Sequence, residues 1–261
     1  MRAILNFASA LFVTNLRATL ALRGAFWFAA VMMLLNNLLY FSIWWIFFDR
    51  FDEIRGWRFG DMAALFGVVA AGFGCAVVFA GGVRDLGRYI IDGELDGFLT
   101  QPKPPLLHAL GSQSRASGWG DIASGLFLIG ISGVVRPASA PLVLVAVASS
   151  AAVFTATGVI LHSSAFWLGR TDSLARQFWE FQIAFSSYPR VIFGGVLKVL
   201  LFTVIPAGFI GFLPAELLRD FTWLGLAAVL GGASAYVLLA FAVFGRGLRS
   251  YESGNRVGLR A

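Results

Sequence analysis

The chain has 261 residues, a formal net charge of +6, a 58% share of hydrophobic residues and only 13% charged ones. Soluble domains carry about 25% charged and about 45–50% apolar residues. The polar surface is too small for a soluble globular enzyme, a disordered chain, a coiled coil or a disulfide scaffold. The single cysteine, Cys75, leaves no internal bridge to form. The basic residues punctuate apolar runs instead of clustering into a groove-binding element, which points to a membrane and away from nucleic acid.

In chain order, residues 1–23 come first. Ile4, Leu5, Ala8, Leu11, Phe12 and Leu16 share one broad helical face, with Asn6, Thr14 and Arg17 opposite. The pattern predicts an amphipathic helix lying in the interface; the other reading is a frayed start of the first span. A crossing helix needs about 20 apolar residues. Candidate spans run over 24–48, 62–83, 122–135 (extended back toward Trp119), 141–168, 191–212 (interrupted by Lys198) and 223–244. The first apolar run is too long for the core of a signal peptide. The expectation is an all-α membrane protein: six transmembrane helices in one domain over 24–261, with both termini on the same side.

Lys and Arg favour short cytoplasmic loops. With the termini inside, 14 of the 20 basic residues fall on the cytoplasmic side and five outside: Arg50, Arg55, Arg58, Arg136 and Arg219. Both termini are therefore expected to be cytoplasmic.

The loop over 84–118 opens with Arg84, Asp85 and Arg88, continues with Asp92, Glu94 and Asp96, and carries Gly87, Gly93 and Gly97 and then Pro102, Pro104 and Pro105. Glycine weakens a helix by about 1 kcal/mol relative to alanine, and proline ends one, so short helices with an extended exit are expected. Its mixed charge suits a protein partner better than a lipid head group; the other reading is a plain connection. Between the fourth and fifth spans, Leu174, Phe178, Phe181 and Phe185 recur at helical spacing, which reads as a second interfacial helix. Over 205–220, Pro206, Gly208, Gly211 and Pro214 fit a straight helix poorly. An outer re-entrant segment between helices five and six fits them better, given protein or water around its backbone.

Catalytic patterns are missing from the sequence. There is no phosphate loop around Lys103 or Lys198, no H-E-x-x-H, no cysteine cluster and no G-x-S-x-G. No cofactor or metal is expected in this chain. His108 and His162 each stand alone in sequence and read as structural. Lys198 must avoid the lipid centre, by snorkelling, by pairing or by facing a wet pathway. Asn36 and Asn37 read as helix-contact hydrogen bonders, and with Lys198 they are the pathway candidates. Asp121 reads as an interfacial residue at the start of the third helix. No carboxylate is expected deep within a span, which argues against ion-coupled transport by the chain alone.

The ordered set Gly93-Glu94-Leu95-Asp96, Pro102, Ser164-Ala165-Phe166-Trp167, Tyr188-Pro189, Ile205-Pro206-Ala207-Gly208-Phe209 and Pro214 covers most of the chain. With six spans and inside termini, it resembles the permease subunit of a bacterial type-2 ABC exporter, of the branch described as ABC-2 family transporter protein. Departures are the second proline of Pro104-Pro105 and Gln101, where a basic residue is common. The resemblance implies a separate ATPase subunit in two copies, which would hold ATP and Mg, and a second permease, identical or paralogous. It implies coupling to the ATPase through Arg84, Asp85, Arg88, Asp92, Glu94 and Asp96, and residence in the cytoplasmic (inner) membrane. A stand-alone secondary transporter is the alternative. The apolar composition leans toward an amphiphilic or lipid-like cargo.

Overall fold

The computed structural model describes residues 2–135 and 139–252, so Arg136, Arg256 and Arg260 lie outside the described residues. In chain order the helices are α1 (Arg2–Ala21), α2 (Arg23–Phe48), α3 (Phe59–Phe79), α4 (Leu86–Ile91), α5 (Asp96–Leu99), α6 (Pro105–Leu110), α7 (Ser117–Ile131), α8 (Ala140–Ser163), α9 (Ala165–Leu168), α10 (Asp172–Ser186), α11 (Gly195–Thr203), α12 (Leu213–Arg219) and α13 (Trp223–Arg249). Among the described residues, four stretches are long and apolar enough to cross a membrane: Arg23–Phe48, Phe59–Phe79, Ala140–Leu168 and Trp223–Arg249. The fold is all-α and of the multi-span membrane type.

α3 is the centre, buried on nearly every side from Asp61 to Gly72. Its sequence allows this because glycines sit where neighbours press closest. Gly67 and Gly74 lie seven residues apart on α3, as do Gly118 and Gly125 on antiparallel α7. A Cβ on Gly67 would meet the Gly125 carbonyl oxygen at 2.6 Å, and one on Gly74 would meet the Gly118 carbonyl oxygen at 2.6 Å. Small residues let helix backbones touch without a water-driven force between them. On another side, Gly72 faces Ser150 of α8, and Gly120 of α7 faces the Ala30 backbone of α2. α13 leans on α8 through Ala233, Ala240 and Phe244, while Trp223, Leu224, Leu238 and Phe241 remain exposed. α2 is equally open, with only Phe26, Ala30 and Phe41 buried.

The molecule has two ends. The loop end carries α4, α5, α6 and the 164–172 turn. The other, here the hairpin end, carries residues 49–58, 188–194 and 219–222. At the loop end α1 packs across α6: Phe12 stacks near Phe79 at 4.8 Å, Phe7 meets His108 at 5.3 Å, and the Asn15 amide donates to the Gly111 carbonyl.

Two stretches differ from the sequence expectation. α7 is shorter than the expected third span. The larger difference is the fifth, because 191–212 is not one helix. α11 ends at Thr203, and the next helical stretch, a π turn over Gly208–Phe212 continued by α12, is bent from it by 73°. Pro206 removes a donor at the bend, and Gly208 leaves room for the Phe202 ring. The bent pair, whose outer ends meet through Arg190 and Glu216, is called the hairpin below. The Tyr236 hydroxyl of α13 donates to the Thr203 carbonyl at 2.6 Å near its tip, and Arg190 pairs with Glu216 at 2.6 Å across its mouth.

α10, the segment expected to lie in the interface, packs along the bundle. It starts at the loop end, where Asp172 sits 3.6 Å from His162. It passes Gly158 of α8 with the Trp179 ring, and the Thr157 hydroxyl bonds the Gln182 amide oxygen at 3.2 Å. The chain then reaches the hairpin end, where Tyr188 meets Trp44 at 5.6 Å. Hydropathy misses α10 because Gln182, which is fully buried, is bonded by protein rather than by water.

The mouth of the hairpin is tied to the 49–58 loop. Arg55 and Gly56 form a two-residue turn with φ of 48° and 81° inside the Ile54–Trp57 bridge, the left-handed pair such turns require. The turn aims the Arg55 guanidinium at the Val191 carbonyl, 2.9 Å away, and presents the Gly56 carbonyl to Arg219 at 2.9 Å. Arg219 also pairs with Asp61 at 3.4 Å.

Candidate functional site

The loop end is a small folded body of its own. Leu86, Ile90, Leu95 and Leu106 pack with Val159 of α8 and Phe244 of α13 in one apolar cluster. Gly82 presses on the Ala109 backbone, which seats the turn before α4 against α6. The Tyr89 hydroxyl bonds Ser112 at 3.0 Å and accepts from Gln113 at 3.1 Å.

The charged residues proposed for coupling also pair with one another and with neighbours in this body. Arg88 pairs with Glu94 at 2.6 Å and with Asp85 at 3.8 Å. Asp85 also takes Arg115 at 3.2 Å, and Asp92 takes Arg170 at 3.7 Å. Burial, and then the neighbouring Asp96, push the Tyr251 hydroxyl up to about 12. Glu94 stays exposed beside Arg88, and the tip that follows is different in character. Gly97, Leu99, Thr100, Gln101, Pro102 and Pro104 are exposed, and none carries a charge. Proline signals marked this tip in the sequence, but the acidic residues drew attention away from it.

Arg84 separates from the other five. Its guanidinium lies over the Trp179 ring at 5.8 Å. Burial and then the Arg115 charge draw it below the ordinary arginine value, while Glu180 and Asp85 draw it back. It lines a cleft of about 250 Å³ between α2 and α10, floored by α3, with Asn36, Asn37, Asp121, Glu180 and Ser187. The apolar wall includes Phe66, Val69 and Phe73. Asn36 and Glu180 are exposed at its rim, while Asp121 is buried at 4% exposure. The Asn37 amide donates to Asp121 Oδ1 at 2.7 Å and to Ser124 Oγ at 2.9 Å. Asp121 Oδ2 is buried and has no hydrogen-bond partner among the described residues.

Asn36 and Asn37 therefore meet in this cleft with a residue assigned to coupling, and Asn37 also makes the helix contact its type suggests. Lys198 does not join them. It is exposed on α11 in the hairpin, within electrostatic reach of Glu216 alongside Arg190 and Arg219. Pro206, Gly208, Gly211 and Pro214 are all buried in the hairpin, where Gly211 meets the Ser186 carbonyl. Asp121 is not interfacial: its partner Asn37 lies 14 residues into α2, about 21 Å of rise at ~1.5 Å per residue. Glu180 escaped notice because the polar stripe of α10 was read as facing water. The sequence signal for both was a polar residue at helical register with Asn36 and Asn37, legible only once α10 is placed in the bundle.

Long apolar helices around a glycine-lined centre, a bent helical pair and a braced loop at one end define a multi-span helical membrane protein. The chain belongs to the family described as ABC-2 family transporter protein, which matches residues 33–255. No curated protein and no solved structure matches the chain.

Proposed function

We propose that the chain is the permease subunit of an ATP-driven exporter. Two permeases, identical or paralogous, form the pathway, and a separate ATPase in two copies supplies the energy; this chain does no covalent chemistry. On this reading α2, α3, α7, α8, α10 and α13 are six crossings, the loop end and both termini are cytoplasmic, and α1 lies in the inner interface. The α11–α12 hairpin caps the outer side. With Arg190 and Lys198 counted at the hairpin end, 13 of 20 basic residues are cytoplasmic and seven outer, which keeps the positive-inside bias. The membrane is the bacterial cytoplasmic membrane.

The braced loop end carries this reading. A loop with its own apolar core and internal ion pairs is built to transmit force, and its exposed tip, where Leu99, Thr100, Gln101, Pro102 and Pro104 surround the half-buried Lys103, offers a knob for a partner groove. The exposed Asn36 and Glu180 add to it. A carboxylate facing lipid costs several kcal/mol, so the α2–α10 face suits a second permease or a wet pathway.

A charge swap tests the role of the carboxylates. Exposed ion pairs are worth about 0–1 kcal/mol, so Arg88→Glu alone should loosen the loop and reduce ATP-driven transport severalfold. The double variant Arg88→Glu, Glu94→Arg restores the pair and should recover most of that loss. A double variant as poor as the single one would show that the partner reads these charges directly.

Stand-alone secondary transport keeps one observation in its favour. Asp121 supplies the buried carboxylate that ion coupling uses. The ATP requirement of transport separates the two readings.

A further inference from the structure

The cleft between α2 and α10 contains an unbalanced charge. Glu180 at its rim faces Arg84, and these two offset each other. Asp121 at its base receives one neutral amide on Oδ1, and its Oδ2 receives nothing among the described residues. A buried carboxylate without a counter-charge is costly; it takes up a proton, pairs with a cation or gathers several donors. Among the described residues no cation pairs with Asp121 and one side-chain amide donates to it, while Asp121 lines the cleft. The cleft of about 250 Å³ is smaller than the roughly 300–1,000 Å³ of whole-ligand pockets. It holds a head group and leaves the rest of a molecule outside. Phe66 and Phe73 line the same space, and aromatic faces attract cations.

We infer that this cleft binds the protonated amine of a cationic amphiphile, with the ammonium on Asp121 Oδ2 and the apolar body leaving along α2 and α10. The inference rests on the permease reading above and sharpens its cargo class. The ammonium supplies both the missing charge and the missing donors. Asn37 holds Asp121 in place through Oδ1 and through Ser124, so the free oxygen is fixed before the ligand arrives. Anionic amphiphiles are rejected by the same carboxylate, and neutral alcohols bind without the charge contribution.

The experiment uses the full chain in phosphatidylcholine nanodiscs and three radiolabelled probes of equal chain length: dodecylamine, dodecanol and dodecanoate. Dodecylamine should bind at least tenfold more tightly than dodecanol, and dodecanoate least. In Asp121→Asn, which keeps the Asn37 bond, the preference for amine over alcohol should fall to about twofold or less. Equal binding of amine and alcohol in the native chain, or an unchanged preference in the variant, overturns the inference. If the variant fails to fold, the native chain still decides. Dicyclohexylcarbodiimide labelling of Asp121, read by peptide mass spectrometry, should be blocked by dodecylamine and not by dodecanol. Equal labelling with both probes overturns it. The permease reading fails separately: an amine site at Asp121 in a chain whose transport needs no ATPase upholds the site and removes the exporter. ATP-driven transport with no amine preference does the reverse.

Discussion

Gly125→Val should cost about 3 kcal/mol or more of stability, at the upper end of the ~1–3 kcal/mol typical of overpacked sites. The reason is backbone contact. A Cβ at Gly125 would lie 2.5 Å from the Gly67 carbonyl oxygen and 2.5 Å from the Ala71 nitrogen of α3. Neither atom can move without shifting α3, which is itself held by α8 on another side. At roughly 2–4 °C per kcal/mol for a chain of this size, the apparent Tm in detergent should fall by about 6–12 °C. Gly130→Val is the matched comparison. It adds the same side chain to the same helix, where no atom lies within 4 Å of the new Cβ. Surface changes of that kind stay within about 0.5 kcal/mol. Equal Tm values for the two variants would contradict the close approach of α3 and α7.

Leu99→Asp should weaken association with the partner ATPase at least tenfold, about 1.4 kcal/mol, while leaving the Tm of the permease unchanged. Leu99 is 39% exposed at the tip of the loop, so its replacement gives up little internal packing. Burying it in a partner groove would gain apolar contact, and an aspartate there would have to be desolvated instead. Affinity of the ATPase for permease-bearing nanodiscs reads the effect directly. Unchanged affinity would mean that the tip does not dock.

Much of the fold was legible because the membrane simplifies the reading. The runs over 24–48, 141–168 and 223–244 have no charged interruption within the lipid, and they are helices close to those bounds. Pro206 and Pro214 marked the bent pair for the same reason, since proline cannot be hidden in a straight helix. The stretch expected as the fifth span is broken, and α10 packs on the bundle beside it, for a specific reason. Residues 191–212 are more apolar than Asp172–Ser186, yet Gly194, Gly195 and Pro206 divide them. On α10 the Gln182 amide oxygen is bonded by Thr157 and Glu180 lines a cleft, and sequence periodicity cannot tell a protein-facing polar stripe from a water-facing one. That one displacement hid the site. With α10 read as interfacial, Glu180 belonged to the surface and Asp121 to a helix start. With α10 in the bundle, both line the cleft with Asn36, Asn37 and Arg84.

The same displacement changes what the charged loop means. Arg88, Asp92 and Glu94, expected to couple to a partner, also brace the loop through ion pairs. The exposed tip around Leu99, Pro102 and Pro104 is a second surface for a partner.

The most direct test of the central claim is reconstitution. The permease is purified with any ATPase it retains and placed in proteoliposomes, and uptake of dodecylamine into inside-out vesicles is followed with ATP, with a non-hydrolysed ATP analogue and with an imposed proton gradient alone. The account predicts uptake with ATP only, from vesicles containing the ATPase only. Uptake by the chain alone, driven by the gradient with no nucleotide present, would contradict it.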